Sequence, residues 1–151
     1  MNVGPVAACR REGARALSAL QFLTRLPLPD PGWEEGRLRY ALAWFPLAGL
    51  VVGGLAGAVL WLAAGPLGLP AAFAAVLGIS VAAWLSGALH EDGLADLADG
   101  TGTPGRSAEQ ALEIMRDSRI GAHGAVALIL AFAARITLLA ALSPLAAAGA
   151  L

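Results

Sequence analysis

The sequence predicts an all-α integral membrane helical bundle. About three transmembrane helices are expected, plus an N-terminal interfacial or re-entrant helix and a cytosolic helical loop. Three observations carry that prediction. The 151-residue chain is 58% hydrophobic and 14% charged, with a mean hydropathy of +0.69, where a soluble domain would hold roughly 25% charged residues. No charged side chain occurs from Ala41 to Leu89. From Ala122 to Leu142 the only formal charge is Arg135.

The elements follow in chain order. Residues 13–23 read as a short amphipathic helix, with Leu17, Leu20, Phe22 and Leu23 apolar and Arg15, Ser18 and Gln21 polar. It is too short and polar to span, so it belongs at the interface or re-enters. Pro27, Pro29 and Pro31 end it, and residues 30–39 make a charged loop with Asp30, Glu34, Glu35, Arg37 and Arg39. Ala41 to Ala64 is the first span, about 36 Å long at about 1.5 Å per residue, against a core of about 30 Å. Trp44 and Trp61 stand near its ends, where indoles favour the interface. Gly49, Gly53 and Gly57 form a small-residue ridge suited to close approach of another helix, and Pro46 is an early-turn proline. Gly65 to Pro70 is a tight uncharged turn. Ala71 to Leu89 is the second span, residues 90–120 are polar, and Ala122 to Leu142 is the third span.

The whole chain, 1–151, is one membrane domain with an active-site loop at 90–120. Arg residues precede the first span and lie between the second and third, while the turn at 65–70 has none. The positive-inside rule therefore places both polar regions in the cytoplasm. A net charge of −1 argues against nucleic acid as a partner. The single cysteine, Cys9, excludes an internal disulfide and a cysteine-based zinc site. Neither Cys9 nor Arg10-Arg11 adjoins the apolar stretch a cleaved signal needs, so the N-terminus is expected to be unprocessed.

The chemistry concentrates in His90-Glu91-Asp92-Gly93-Leu94-Ala95-Asp96-Leu97-Ala98-Asp99-Gly100. Asp92, Asp96 and Asp99 fall on one face of a helix. Carboxylates that close repel unless a cation sits among them, and hard oxygen donors without thiols point to Mg²⁺ or Mn²⁺. The apolar residues between them fit a helix end packed in a bundle. A solvated acidic loop is the plainer alternative. His90 would lie on a different face, as general base, phosphate contact or interfacial residue, and Glu91 is expected to be exposed.

A second segment, Leu112-Glu113-Ile114-Met115-Arg116-Asp117-Ser118-Arg119-Ile120-Gly121, follows a capping box at Ser107-Ala108-Glu109-Gln110. On a continuous helix, Glu113, Arg116 and Asp117 would form a surface ion-pair network. The functional alternative has Arg116 and Arg119 gripping phosphates and Asp117 helping to hold metal, with Gly121 and Gly124 allowing close backbone approach around His123. Arg135, in mid-span, costs roughly 2.5–3.5 kcal/mol on insertion scales unless it has a partner, a wet cavity or an end to snorkel to.

With Phe22-Leu23-Thr24-Arg25-Leu26-Pro27 and Phe45-Pro46-Leu47-Ala48-Gly49, these two segments make four motifs in order. The sequence resembles the cobalamin synthase family, the adenosylcobinamide-GDP ribazoletransferases of late vitamin B12 biosynthesis. The acidic motif also looks like that of the CDP-alcohol phosphotransferases. The resemblance implies a Mg²⁺-dependent enzyme of the bacterial cytoplasmic (inner) membrane, with the site loop facing the cytoplasm. It would join adenosylcobinamide-GDP to α-ribazole, or its 5′-phosphate, and release GMP. It implies a catalytic set of Asp92, Asp96, Asp99 and His90. Metal would be held by Asp92, Asp96, Asp99 and Asp117, and phosphate by Arg116, Arg119, Ser118 and Arg25. Its partners are the two substrates and the lipid bilayer, with a homo-oligomer left open. Family members ordinarily continue into further membrane helices, so this chain is expected to be a truncated or partial form. A small cation transporter component and a non-catalytic fragment are the competing functional classes.

Overall fold

The computed structural model describes residues 5–32 and 36–149, all helix, turn or irregular. Glu34 and Glu35 of the expected charged loop lie outside the described residues. In order come α1 (Pro5–Leu23), α2 (Arg37–Ala41), a 3₁₀ turn (Leu42–Trp44), α3 (Phe45–Ala64), α4 (Ala71–Ser86), α5 (Leu89–Thr101), α6 (Ala108–Met115) and α7 (Ala122–Gly149). Leu38–Ala64 and Ala122–Leu142 are each long and apolar enough to cross a membrane, and α4 with α5 makes a third candidate if counted as one broken span. The buried positions are mostly small: Ala48, Ala63, Ala74 and Ala75 close the helix contacts, while Leu50, Trp61, Phe73, Trp84, Ile129 and Leu138 face outward. That is the pattern of helices whose packing surface is small and whose outer surface is solvated by lipid.

α1 begins at Pro5 rather than at residue 13. Charge bars a segment from spanning but not from being helical, and proline is well tolerated in a first helical turn. Past Leu23 the chain doubles back, because the Gln21 side-chain amide donates to the Leu28 and Pro29 carbonyls at 3.2 and 2.9 Å. Phe22 stacks on Phe45 with centroids 5.8 Å apart, Arg15 lies 4.5 Å over the Tyr40 ring, and the Trp44 indole donates to Glu12 at 3.1 Å. These contacts clamp α1 across the start of the first span. The 3₁₀ turn there has a covalent cause: Pro46 has no N–H for the Leu42 carbonyl, which instead accepts from Phe45.

The glycine ridge expected to pack does not do so among the described residues. A Cβ built at Gly49, Gly53 or Gly57 meets nothing within 4 Å. Close approach is on the partner helix instead, where a Cβ at Gly78 of α4 would stand 3.1 Å from the Ala56 carbonyl oxygen and 3.2 Å from the Leu60 Cβ. A glycine repeat marks where a helix can be approached; complementary shape decides where it is.

The expected second span, Ala71 to Leu89, is also corrected. α4 has 16 residues, about 24 Å at about 1.5 Å rise, short of a core of about 30 Å. Gly87 (φ 68°) and Ala88 (φ 58°) are both left-handed, and α5 leaves at 88° to α4. Glycine adopts that conformation freely; alanine does so at roughly 1–2 kcal/mol. α5 then runs antiparallel along the first half of α7. Arg135 Nη1 donates to Glu91 Oε1 at 2.8 Å at one end, and Asp99 receives the amides of Gly121 and Gly124 at the other. Glu91 is therefore not exposed: its side chain is 13% accessible, because the mid-span arginine needs its charge. α6 closes on α5 at Gly100, where an added Cβ would lie 2.9 Å from Met115 Cγ.

Gly78→Val is expected to destabilise the α3–α4 hairpin by about 1–3 kcal/mol through overpacking, while Gly53→Ala, on the open ridge, is neutral. Denaturant titration of both variants in detergent, followed by circular dichroism, checks this pair; equal effects would contradict the assigned interface.

Candidate active site

Three local structures build the site. The first is the exposed side of α5, where Asp92 and Asp96 stand one turn apart, with Ala95 buried against α7 and Leu94 and Leu97 outward. The second is α6, whose expected capping box is present: Gln110 N donates to Ser107 Oγ at 3.3 Å and Ser107 N donates to Gln110 Oε1 at 3.0 Å. The third is the irregular segment after α6, in which Asp117 turns the backbone on itself.

The α6 helix stops at Met115, so the helical spacing of Glu113, Arg116 and Asp117 is not realised. Asp117 instead binds Arg119 three ways. The Arg119 backbone N–H donates at 3.1 Å, Nε at 3.0 Å to each carboxylate oxygen, and Nη2 at 2.6 Å. A carboxylate that takes both guanidinium and main-chain donors from one residue fixes a tight turn, with Ser118 at its tip. The Arg119 guanidinium and amide hold the Asp117 carboxyl below the ordinary carboxylate range. The pairing is thus complete above that range and is lost only as pH falls through the lowered value.

The turn faces α5 across a cleft of about 450 Å³. Asp92 and Asp96 line one wall, and Arg116, Asp117, Ser118 and Arg119 line the other. Six of the residues singled out from sequence therefore meet. The other three lie elsewhere. His90 lines a neighbouring cavity with Glu91 and Arg135. Arg25 sits at the corner between α4 and α5, its backbone N–H donating to Leu85 O at 2.7 Å and its guanidinium against Gly87.

Asp99 is buried, and its carboxylate accepts the Gly121 amide at 2.7 Å and the Gly124 amide at 2.8 Å. These are first-turn donors of α7, so Asp99 acts as its N-terminal cap from another helix. Both glycines are required by proximity, since a Cβ on either would strike the Asp99 carboxylate. The close approach expected around His123 is thus made to Asp99. The sequence signal that could have revealed it was Gly-x-x-Gly at a helix start, opposite an aspartate of unassigned partner.

The donors lining the cleft are hard oxygens, the kind Mg²⁺ takes. Among the described residues, no group of three His, Cys, Asp or Glu side chains gathers closely enough to hold a metal ion. The donor chemistry fits Mg²⁺, but the described residues do not provide a preassembled protein cage. Mg²⁺ is commonly bound by one or two carboxylates completed by water and substrate phosphates, and Asp92 with Asp96 offers that minimum.

Gly124→Ala is expected to cost about 1–3 kcal/mol by driving a methyl group into the cap, and Asp99→Ala to lower the thermal midpoint by several degrees. Asp92→Ala and Asp96→Ala should leave the midpoint in place. Thermal melts of the four variants in one detergent test this division between capping and cleft-lining carboxylates.

Residues 15–151 match the family described as cobalamin-5-phosphate synthase. Curated relatives named adenosylcobinamide-GDP ribazoletransferase are similar over most of the chain. That of Sinorhizobium medicae is 49% identical over 129 residues, covering 84% of this chain and 48% of the relative. That of Rhizobium etli is 50% identical over 136 residues, covering 86% and 52%, and that of Azorhizobium caulinodans 48% over 144 residues, covering 89% and 53%. The chain thus spans about half the length of the curated relatives it matches. No solved structure matches it.

Proposed function

This chain belongs to the cobalamin-5-phosphate synthase family, and from that premise we propose that it serves in transferring cobinamide phosphate from adenosylcobinamide-GDP to α-ribazole or its 5′-phosphate, with release of GMP. The observation that carries the proposal is the cleft, in which two carboxylates on α5 face two arginines, a serine and an aspartate across a space open to a diphosphate. In balanced form, a ribazole hydroxyl attacks the phosphorus bound to cobinamide. A new P–O bond forms, the bond to the GMP oxygen breaks, and the hydroxyl proton passes to a base.

Each side chain has a part in that step. Arg116 and Arg119 bind the diphosphate and take up the charge that grows on departing GMP. The Asp117 turn positions Arg119 for this, and Ser118 offers a hydroxyl and a backbone N–H to a phosphate oxygen. Asp92 and Asp96 would hold Mg²⁺, which when bound would supply charge neutralisation. Asp99 acts by holding α5 in place. Arg25 does the same at the α4–α5 corner, where it sets the direction of α5 rather than touching phosphate. His90, which lines the neighbouring cavity, is the base. The arginine distribution supports a bacterial cytoplasmic membrane location with the cleft towards the cytoplasm.

The purified chain in detergent should bind adenosylcobinamide-GDP more tightly with Mg²⁺ than without. Asp96→Asn is expected to abolish the Mg²⁺ enhancement, and Arg119→Ala to weaken donor binding about ten-fold or more. Equilibrium dialysis measures both. Binding that ignores Mg²⁺ and survives both substitutions would refute the assignment of the cleft.

A further inference from the structure

A second cavity of about 600 Å³ lies beside the cleft, within the range of about 300–1,000 Å³ usual for small-molecule sites. Phe45 and Val52 of α3 and Ala82 of α4 supply apolar walls, and Gly49 and Gly53 keep the α3 wall flat. Ser86, His90, Glu91 and Arg135 form its polar end. Gly49 and Gly53 of the open ridge, without a role in the α3–α4 contact, leave room here along an otherwise bulky apolar helix.

Two observations distinguish this cavity from a gap between lipid-facing helices. The first is Arg135. A guanidinium in mid-helix costs roughly 2.5–3.5 kcal/mol on insertion scales, and an enclosed pair with Glu91 would satisfy it. Yet its side chain is 51% exposed, against 13% for Glu91. Among the described residues it makes one hydrogen bond, from Nη1. Its side chain lines the cavity, and a planar fork of donors is the geometry that suits a phosphate. The second is Glu91, which lines both this cavity and the polar cleft. A molecule at the Arg135 end therefore lies beside the helix that carries Asp92 and Asp96.

We propose that this cavity seats the acceptor as its 5′-phosphate, with the flat apolar base along Phe45 and the glycine wall and the phosphate on Arg135. This inference rests on the transfer reaction above and extends it: Arg135 becomes the residue that selects a phosphorylated acceptor over the free nucleoside. The sugar then lies between the two cavities, with a hydroxyl directed at the cleft and His90 next to it to take the proton. Arg135 is held for this task by Glu91, whose carboxylate accepts from its Nη1 at 2.8 Å.

The test uses the chain in lipid nanodiscs, with equilibrium binding of α-ribazole and α-ribazole 5′-phosphate. The wild type is expected to favour the phosphate about ten-fold or more. Arg135→Gln should erase that preference by weakening only the phosphorylated ligand, and Arg135→Lys should restore part of it. Gly49→Leu, which fills the cavity, should weaken both ligands. If Arg135→Gln is poorly folded, the double variant Glu91→Gln/Arg135→Gln removes the orphaned carboxylate and serves instead. A preference that persists without Arg135, or ligands indifferent to Gly49→Leu, would overturn the proposal. So would Arg135-dependent retention of a phospholipid that ribazole phosphate cannot displace. Mg²⁺-dependent donor binding in the same samples separates this failure from failure of the transfer reaction, because it reads the other cleft.

Discussion

The placement of the two cleft walls depends on the two hydrogen bonds that Asp99 accepts from the backbone of Gly121 and Gly124. They join the end of α5 to the start of α7 and thereby fix the segment between them, which carries α6 and the Asp117 turn. An aspartate in this place satisfies amides that a helix start otherwise leaves open. The two glycines let the carboxylate reach them, and one contact sets both the angle and the register of α5 on α7. The Arg106 guanidinium adds a bond to the Asp99 carbonyl at 2.6 Å, which closes the loop from the other side.

Seen from charge alone, three aspartates on one helical face call for a cation. The fold reduces that demand before any ligand arrives. One carboxylate is absorbed by main-chain donors, and a fourth, Asp117, is absorbed by Arg119. What faces the cleft is a pair, Asp92 and Asp96, opposite Arg116 and Arg119. This division matters physically, because a helix held by repelling carboxylates would be poorly placed until metal bound, whereas one held by a cap is placed beforehand.

Polarity is distributed in the same economical way elsewhere. The 88° break after α4 brings α5 alongside α7, so a mid-helix arginine and a glutamate far away in sequence can neutralise each other. The bend also puts Glu91 on the partition between an apolar cavity and a polar cleft. The family relationship rests on about half of the length of the relatives, and both cavities are built within that half.

Much was legible from the residues in order. Apolar runs with at most one charge located the long apolar helices, because lipid excludes most charge wherever the chain leads. Ser107 and Gln110 announced the start of α6, since a capping box closes within one turn. The acidic and arginine motifs identified the two walls of the cleft. What only tertiary structure decided was the set of contacts made across many residues: Asp99 with Gly121 and Gly124, Glu91 with Arg135, and Gly78 rather than the glycine ridge as the point of close approach. The break at Gly87 and Ala88 was hidden for a related reason, as alanine has no local preference for a left-handed turn and accepts one only when packing on both sides requires it. Local periodicity reports which face of a helix is apolar or charged; which partner that face meets depends on the path of the chain between them, and that path is settled by packing.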